Sequence, residues 1–282
     1  MSAWLNKLFL YLTVIVIVIW TIAPFLWLII SSFSYKIDLL SLPLQWIPRR
    51  ITFENYQQLF SFKGSLNVNA ALFTKSTMNS MIIAFATTLV AMFFGVLAAY
   101  ALARVKFPGS NIYMGTMMGA QMIPPIAIVI PLYVILRNLD IYDTHFGLIL
   151  VYLSFVLPLV IWLMRSYFAT IPAELEEAAR IDGCTRLQAL VKIVLPLSGP
   201  GLVSVLIFAF IASWNEYLYA FIYTNVDAKT LPVLIGEFST KLGLEYLKIA
   251  AAGVIASLPP IILALIFQKY LIKGLTAGAV KG

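Results

Sequence analysis

The residue types that commonly do chemistry are scarce in this 282-residue sequence, and their placement limits what they can do. One histidine, His145, and one cysteine, Cys184, cannot build a Cys/His metal cluster, and a single thiol forms no intramolecular disulfide. No GxxxxGK[ST] segment occurs, so the chain has no phosphate-cradling loop of its own. No catalytic or metal-ligating residue is therefore expected. Two places stand apart. Glu216 is the one ionisable residue in the long apolar run Ser198 to Tyr223, and the segment Arg165 to Leu197 alternates charged residues with small and apolar ones. Residues of these types can hydrogen-bond a polar ligand or dock a partner; they do not form a bond-breaking constellation.

The elements that must position them are membrane helices. The chain is 62% hydrophobic, with only 19 Lys+Arg and 12 Asp+Glu, and its mean hydropathy is +0.95. These values exclude a soluble enzyme and a disordered chain. The basic balance of +7 falls mostly between apolar runs, where anionic headgroups are its counter-charge, so nucleic-acid binding is not expected. A span needs about 20 apolar residues to cross a core of roughly 30 Å. Six runs qualify: Leu8 to Ile30, a second between Lys75 and Arg104, a third between Lys106 and Arg137, then Thr144 to Met164, Ser198 to Tyr223, and Ile249 to Gln268. None alternates as barrel strands do, so all are read as helices. The first run is too long for a signal-peptide core and is read as a retained anchor.

The predicted class is all-α integral membrane, with six transmembrane helices, N-in and C-in. Residues 1–282 form one integral membrane domain: a first span at 8–30, an outside loop at 31–75, core spans within 76–270, and a tail at 271–282. Ten of the 19 basic residues fall on the inside in this orientation, a slight bias of the right sign. In the outside loop, Thr52 is placed to cap a short helix through Leu59.

The charged segment at 165–197 reads as a cytoplasmic pair of helices between spans four and five. Pro172 suits a first helical position, and Glu174, Glu176 and Glu177 complement the positive helix start. Glu176 and Arg180 have the spacing of an ion pair. Gly183 sits where a left-handed terminus needs no Cβ. Thr185 and Gln188 make a capping box, Leu187, Leu190, Val191 and Val194 share a face, and Pro196 closes the second helix. Such a pair either docks a protein or lies on headgroups.

Fixed positions in this segment carry a resemblance: Glu177-Ala178-Ala179, three residues, Gly183, nine residues, Ile193, one residue, Leu195-Pro196. This pattern resembles the EAA loop of ABC importer permeases. Asn55-Tyr56, Phe107-Pro108-Gly109, Ile181-Asp182-Gly183, Trp214-Asn215-Glu216 and the run Gly274 to Gly282 are similar to the carbohydrate, maltose-permease-like branch and its second permease subunit. The resemblance implies an ATP-driven, binding-protein-dependent importer of a di- or oligosaccharide such as trehalose or maltose. It implies a second homologous permease, two cytoplasmic ATPase subunits that carry ATP and Mg, an extracytoplasmic sugar-binding protein, and a multi-pass place in a prokaryotic inner membrane. The chain itself would need no cofactor. Glu177, Ala178, Ala179, Asp182, Gly183, Ile193, Leu195 and Pro196 would then form the joint with the ATPase. The alternative is an ion-coupled secondary transporter or channel acting alone.

For a substrate path the polar and aromatic groups within spans are the candidates: Trp214, Asn215, Glu216 and Tyr217, with Asn79 and Gln121. An ionisable group inside a span costs about 2.5–3.5 kcal/mol, so Glu216 faces either the bundle interior or the outer rim, where solvent reaches it. Asn79 and Gln121 either line the path or bond between helices. Pro124-Pro125 and Pro131 are expected to interrupt span three, and Pro259-Pro260 span six.

Overall fold

The computed structural model describes residues 2–39, 41, 46–48, 50–60, 67–105, 107–240 and 243–277. In chain order the helices are α1 (Ser2–Ser32), α2 (Lys36–Leu39), α3 (Glu54–Phe60), α4 (Asn67–Arg104), α5 (Ser110–Ala120), α6 (Pro125–Asn138), α7 (His145–Thr170), α8 (Ala173–Ile181) and α9 (Arg186–Ala189). A π-turn at Leu190–Val194 leads to α10 (Leu195–Leu197), α11 (Gly199–Trp214), α12 (Leu218–Tyr223), α13 (Leu231–Glu237) and α14 (Tyr246–Ala277). Before α14 the strands β1 (Ser239–Thr240) and β2 (Gly243–Leu244) pair antiparallel. Among the described residues the remaining regular structure is helical, as the uncharged runs require when lipid offers the backbone no hydrogen bonds.

Among the described residues, four helices are long and apolar enough to cross a membrane: Trp4–Ser32, Ala70–Arg104, His145–Thr170 and Tyr246–Tyr270. The count rises to six only if two bent pairs each make one span. The first pair, α5 with α6, bends by 92°, and the second, Arg186–Leu197 with α11, by 84°. Sequence reading placed a break in the third run, and its cause is visible. Pro124 precedes another proline and is held extended at ψ 130°, which ends helical geometry before Pro125 starts α6.

Three expectations are corrected. The fifth run is not one helix: α11 stops at Trp214, and α12 starts only at Leu218. Neither Pro131 nor Pro259-Pro260 interrupts its run, because α6 passes through the first and α14 through the other two; a membrane helix tolerates the lost N–H groups where neighbouring turns hold its geometry. Pro196 likewise lies inside the helical stretch Arg186–Leu197, and the chain turns at Ser198 instead.

The described residues pack into two compact units. The first comprises residues 1–75 and 234–258. Here α1 is apolar and exposed on all sides from Trp4 to Leu26, the pattern of a helix that needs an apolar surrounding. Its end is tied down by Asn55, whose amide donates to the carbonyls of Ser32 and Ser34 at 2.9 and 3.1 Å. The Tyr56 and Ser32 hydroxyls meet at 2.7 Å, and the Thr52 hydroxyl accepts the Glu54 N–H at the start of α3.

The second unit comprises residues 76–233 and 259–282. Its axis is α7, which begins where the Thr144 hydroxyl accepts the Gly147 N–H at 3.0 Å. Val156, Val160, Met164 and Phe168 recur every fourth residue along α7 and are fully buried, with Ala91 and Ala99 of α4 and Ala209 of α11 in the same core. Close approach depends on glycine. A Cβ at Gly95 would stand 2.6 Å from Val160, and one at Gly201 would stand 2.6 Å from the Tyr167 ring.

Candidate coupling site and the polar groups of the spans

The α8–α9 corner is built by backbone capping that the sequence specifies residue by residue. After α8 the Cys184 N–H reaches the Ala179 carbonyl at 2.9 Å and the Gly183 N–H reaches that of Arg180 at 3.1 Å, the two bonds of a Schellman terminus. That geometry needs a left-handed residue, and Gly183 has φ +92°. Thr185 and Gln188 then cap α9 reciprocally: the Gln188 N–H donates to the Thr185 hydroxyl and the Thr185 N–H to the Gln188 side-chain oxygen. Pro172 is the cap before α8 rather than its first residue.

This corner divides its residues between an outer and an inner face. Glu177, Ala178, Asp182 and Gly183 are exposed, Pro196 is exposed, Ile193 and Leu195 are half-buried, and Ala179 is buried. Ile181 is 86% exposed and Leu187 60%, so among the described residues apolar surface stands uncovered next to charge. The expected stripe of Leu187, Leu190, Val191 and Val194 is split. Leu190 and Val194 are buried in the core of the second unit, while Leu187 and Val191 face outward. The stripe includes the π-turn at Leu190–Val194.

Glu176 does not pair with Arg180. Its carboxylate, only 6% exposed, turns inward to the Arg104 guanidinium at the end of α4 and to the Tyr100 hydroxyl at 2.9 Å. The second arm of Arg104 donates to the Ile171 carbonyl at 2.7 Å. Sequence reading passed over Tyr100 and Arg104. The available signal was that Glu176 shares the face of Ala179, three residues on, whereas Glu177 does not. A cavity of about 100 Å³ lies beside this cluster, between Arg104, Glu177, Arg180 and Arg186.

The candidate path residues are not brought together. Glu216 lies in the break between α11 and α12, where its two oxygens accept the N–H groups of Tyr219 at 2.7 Å and Ala220 at 3.0 Å. It thus caps α12, as a carboxylate at a helix start does. The Tyr152 hydroxyl is near it without meeting hydrogen-bond geometry. Trp214 is buried and stacked on Phe210, Tyr217 is exposed and stacked on Phe221, and Asn215 is exposed. Gln121 is exposed and donates to the Ser154 carbonyl at 3.0 Å. Asn79 is buried, and its amide donates to the carbonyls of Asp227 and Lys229.

Asp143 is a further organising residue that sequence reading missed. Its carboxylate accepts the four backbone N–H groups of Asn225, Val226, Asp227 and Ala228 at 2.9–3.1 Å. Partial burial pushes its carboxyl pKa up, but these four donors outweigh that and hold it below the ordinary carboxylate value. In the first unit a cleft of about 490 Å³ is lined by Tyr35, Asn55, Gln58, Glu245 and Tyr246, a mixture of rings, donors and acceptors. Among the described residues, no group of three or more His, Cys, Asp or Glu is placed to hold a metal ion.

An apolar run broken at Pro124-Pro125, together with a capped helix pair that exposes Ile181 and Leu187, fits a membrane transport component. Residues 91–277 match the family described as binding-protein-dependent transport system inner membrane component, and the chain belongs to that family. It is a permease subunit of an ABC importer. It is 40% identical over 266 residues to the trehalose transport system permease protein SugB of Mycobacterium tuberculosis, covering 93% of each chain. To the trehalose/maltose transport system permease protein MalG of Thermococcus litoralis it is 38% identical, covering 99% of this chain and 98% of the relative. In fold it is similar to a chain of a bacterial ABC transporter involved in import of the acidic polysaccharide alginate, with a TM-score of 0.76 at 24% identity, covering 95% of this chain and 97% of that one. Of the C-terminal run that carries part of the resemblance, Gly278–Gly282 lie outside the described residues.

Proposed function

We propose that this chain is the second-type permease subunit of a sugar importer, passing a di- or oligosaccharide such as trehalose or maltose that an external binding protein delivers. It works as one permease domain of six spans, N-in and C-in, in the inner membrane of a prokaryotic cell. It pairs with a homologous permease, and two ATPase subunits carrying ATP and Mg drive the cycle. The observation that carries this reading is the α8–α9 corner, where Glu177, Ala178, Asp182 and Gly183 are presented beside exposed Ile181 and Leu187 on a rigid double cap. The names of the relatives in Mycobacterium tuberculosis and Thermococcus litoralis support trehalose and maltose as the sugars to try first.

In this reading Glu177, Ala178, Ala179, Asp182, Gly183, Ile193, Leu195 and Pro196 form the joint with one ATPase subunit. Ala179, Ile193 and Leu195 support it from the inner side, and the others meet the partner. Gln121, Asn215 and Tyr217, exposed at the two helix breaks, belong to the sugar path, while Glu216, Trp214 and Asn79 hold the path's shape. The test is uptake by proteoliposomes containing this chain with its genomic neighbours. Radiolabelled trehalose or maltose should accumulate only with internal ATP and the external binding protein. Accumulation driven by an ion gradient, without ATP, would support the stand-alone secondary transporter instead.

A further inference from the structure

Three segments distant in sequence meet at the last turn of α4. Arg104 lies 72 residues before Glu176 and 67 before Ile171, and Tyr100 lies 86 before Arg186. Arg104 holds the α7–α8 junction through the Ile171 carbonyl and α8 through Glu176. Tyr100 donates to the other Glu176 oxygen at 2.9 Å, with the Arg186 carbonyl at the start of α9 as a longer second acceptor at 3.3 Å. The Tyr100 ring stands edge-on to Phe168 of α7, with centroids 6.2 Å apart, so the polar contacts sit on a packed base. Successive glutamates thus face opposite ways: Glu177 is exposed on the outer face, while Glu176 is buried against the chain's own span.

We propose that Tyr100 and Arg104 are positioning residues that bolt the coupling corner to the end of α4, so that a displacement of α8 is delivered directly to that span as well as along α7 and α11. The proposal rests on the permease reading above. Its physical basis is that a largely buried carboxylate cannot be parted from its cation without leaving a poorly solvated charge unpaired, so α4 and α8 are held to move together. Neutral packing alone would hold the pieces in place yet let them slide. A charge-assisted, multiply hydrogen-bonded contact fixes their register.

The experiment uses the complete complex in proteoliposomes and measures the ratio of binding-protein-stimulated to basal ATP hydrolysis, together with sugar moved per ATP. Glu176→Gln and Arg104→Met should each lower the stimulation ratio about tenfold, the scale of a lost coupling contact. Each could also destabilise the chain, so the deciding variant is the double substitution Arg104→Met with Glu176→Leu. It leaves no unpaired buried charge and should restore yield, melting temperature and retention of the ATPase subunits. The bolt predicts that the double variant stays uncoupled, with low stimulation and more ATP hydrolysed per sugar. A double variant with the wild-type ratio would overturn the proposal, because stability alone would then be what the pair supplies. Failure of the wild-type complex to show any stimulated hydrolysis would refute the permease reading itself, a separate result.

Discussion

The Nε2 atom of His145 lies 2.7 Å from Oδ1 of Asn79, and this contact fixes which way the Asn79 amide points. Its nitrogen donates to the carbonyls of Asp227 and Lys229 at 2.8 and 2.9 Å, so the oxygen must accept, and Nε2 of His145 carries the proton. The single histidine of the chain is therefore an orienting donor, and α4, the start of α7 and the 225–230 loop are joined through one side chain. Asn79→Ala removes the amide's bonds to the two carbonyls and the acceptor of the imidazole N–H. It should cost about 1–3 kcal/mol, read as a lower melting temperature of the purified complex. An unchanged melting temperature would mean that water replaces the amide at no cost.

Asp143 makes the same loop pH-sensitive, in a direction its environment decides. Its folded pKa is lowered from 3.8 by the four N–H groups, against the upward push of burial. A depressed carboxyl contributes stability above its unfolded pKa and loses it as pH falls through the folded one. The difference in melting temperature between the wild type and Asp143→Asn should therefore be steady from neutral pH down to about 4 and shrink below it. A difference that shrinks between pH 7 and 5 would contradict the assignment.

Gly183 tests the corner through backbone conformation alone. With φ at +92° and nothing within 4 Å of where a Cβ would stand, Gly183→Ala meets no clash, only the left-handed penalty of about 1–2 kcal/mol. Stimulated ATP hydrolysis should fall, and Gly183→Asn should fall less, because asparagine tolerates this region. Equal activity in all three would show that the terminus is not under conformational demand.

How much was legible in the sequence depended on the range of the interaction. The caps at Thr52, Thr185 and Gly183 were readable because each acts within about four residues, as was the break at Pro124-Pro125. The partner of Glu176 was not, because local spacing offered Arg180 while the fold supplied Arg104 from 72 residues away. The split of the Leu187–Val194 stripe was not, because an apolar period does not say which edge of the stripe packs into the core. Glu216 stands out in the sequence as the charged residue of its apolar run, yet its use as a cap could be seen only once α11 was known to stop at Trp214. Asp143 gave no pattern at all, since its four donors are backbone groups of a loop more than 80 residues away.

Cys184, half-exposed and the one cysteine of the sequence, reports the orientation. An impermeant maleimide should leave it unlabelled on intact cells and label it in inside-out vesicles stripped of ATPase subunits. Labelling of intact cells would reverse the N-in, C-in topology and remove the joint from the ATPase side.

Ile181 gives the most direct test of the central claim, that the α8–α9 corner is the surface where the ATPase acts. At 86% exposed it contributes almost nothing to this chain's own core, so Ile181→Asp should leave yield and melting temperature of the permease unchanged. An added carboxylate in a closed apolar contact, however, would be buried without a partner. The measurement is retention of the ATPase subunits by the purified Ile181→Asp permease, scored with sugar uptake in the same preparation. Loss of both with the permease intact is the result predicted here; full retention and wild-type uptake would contradict it.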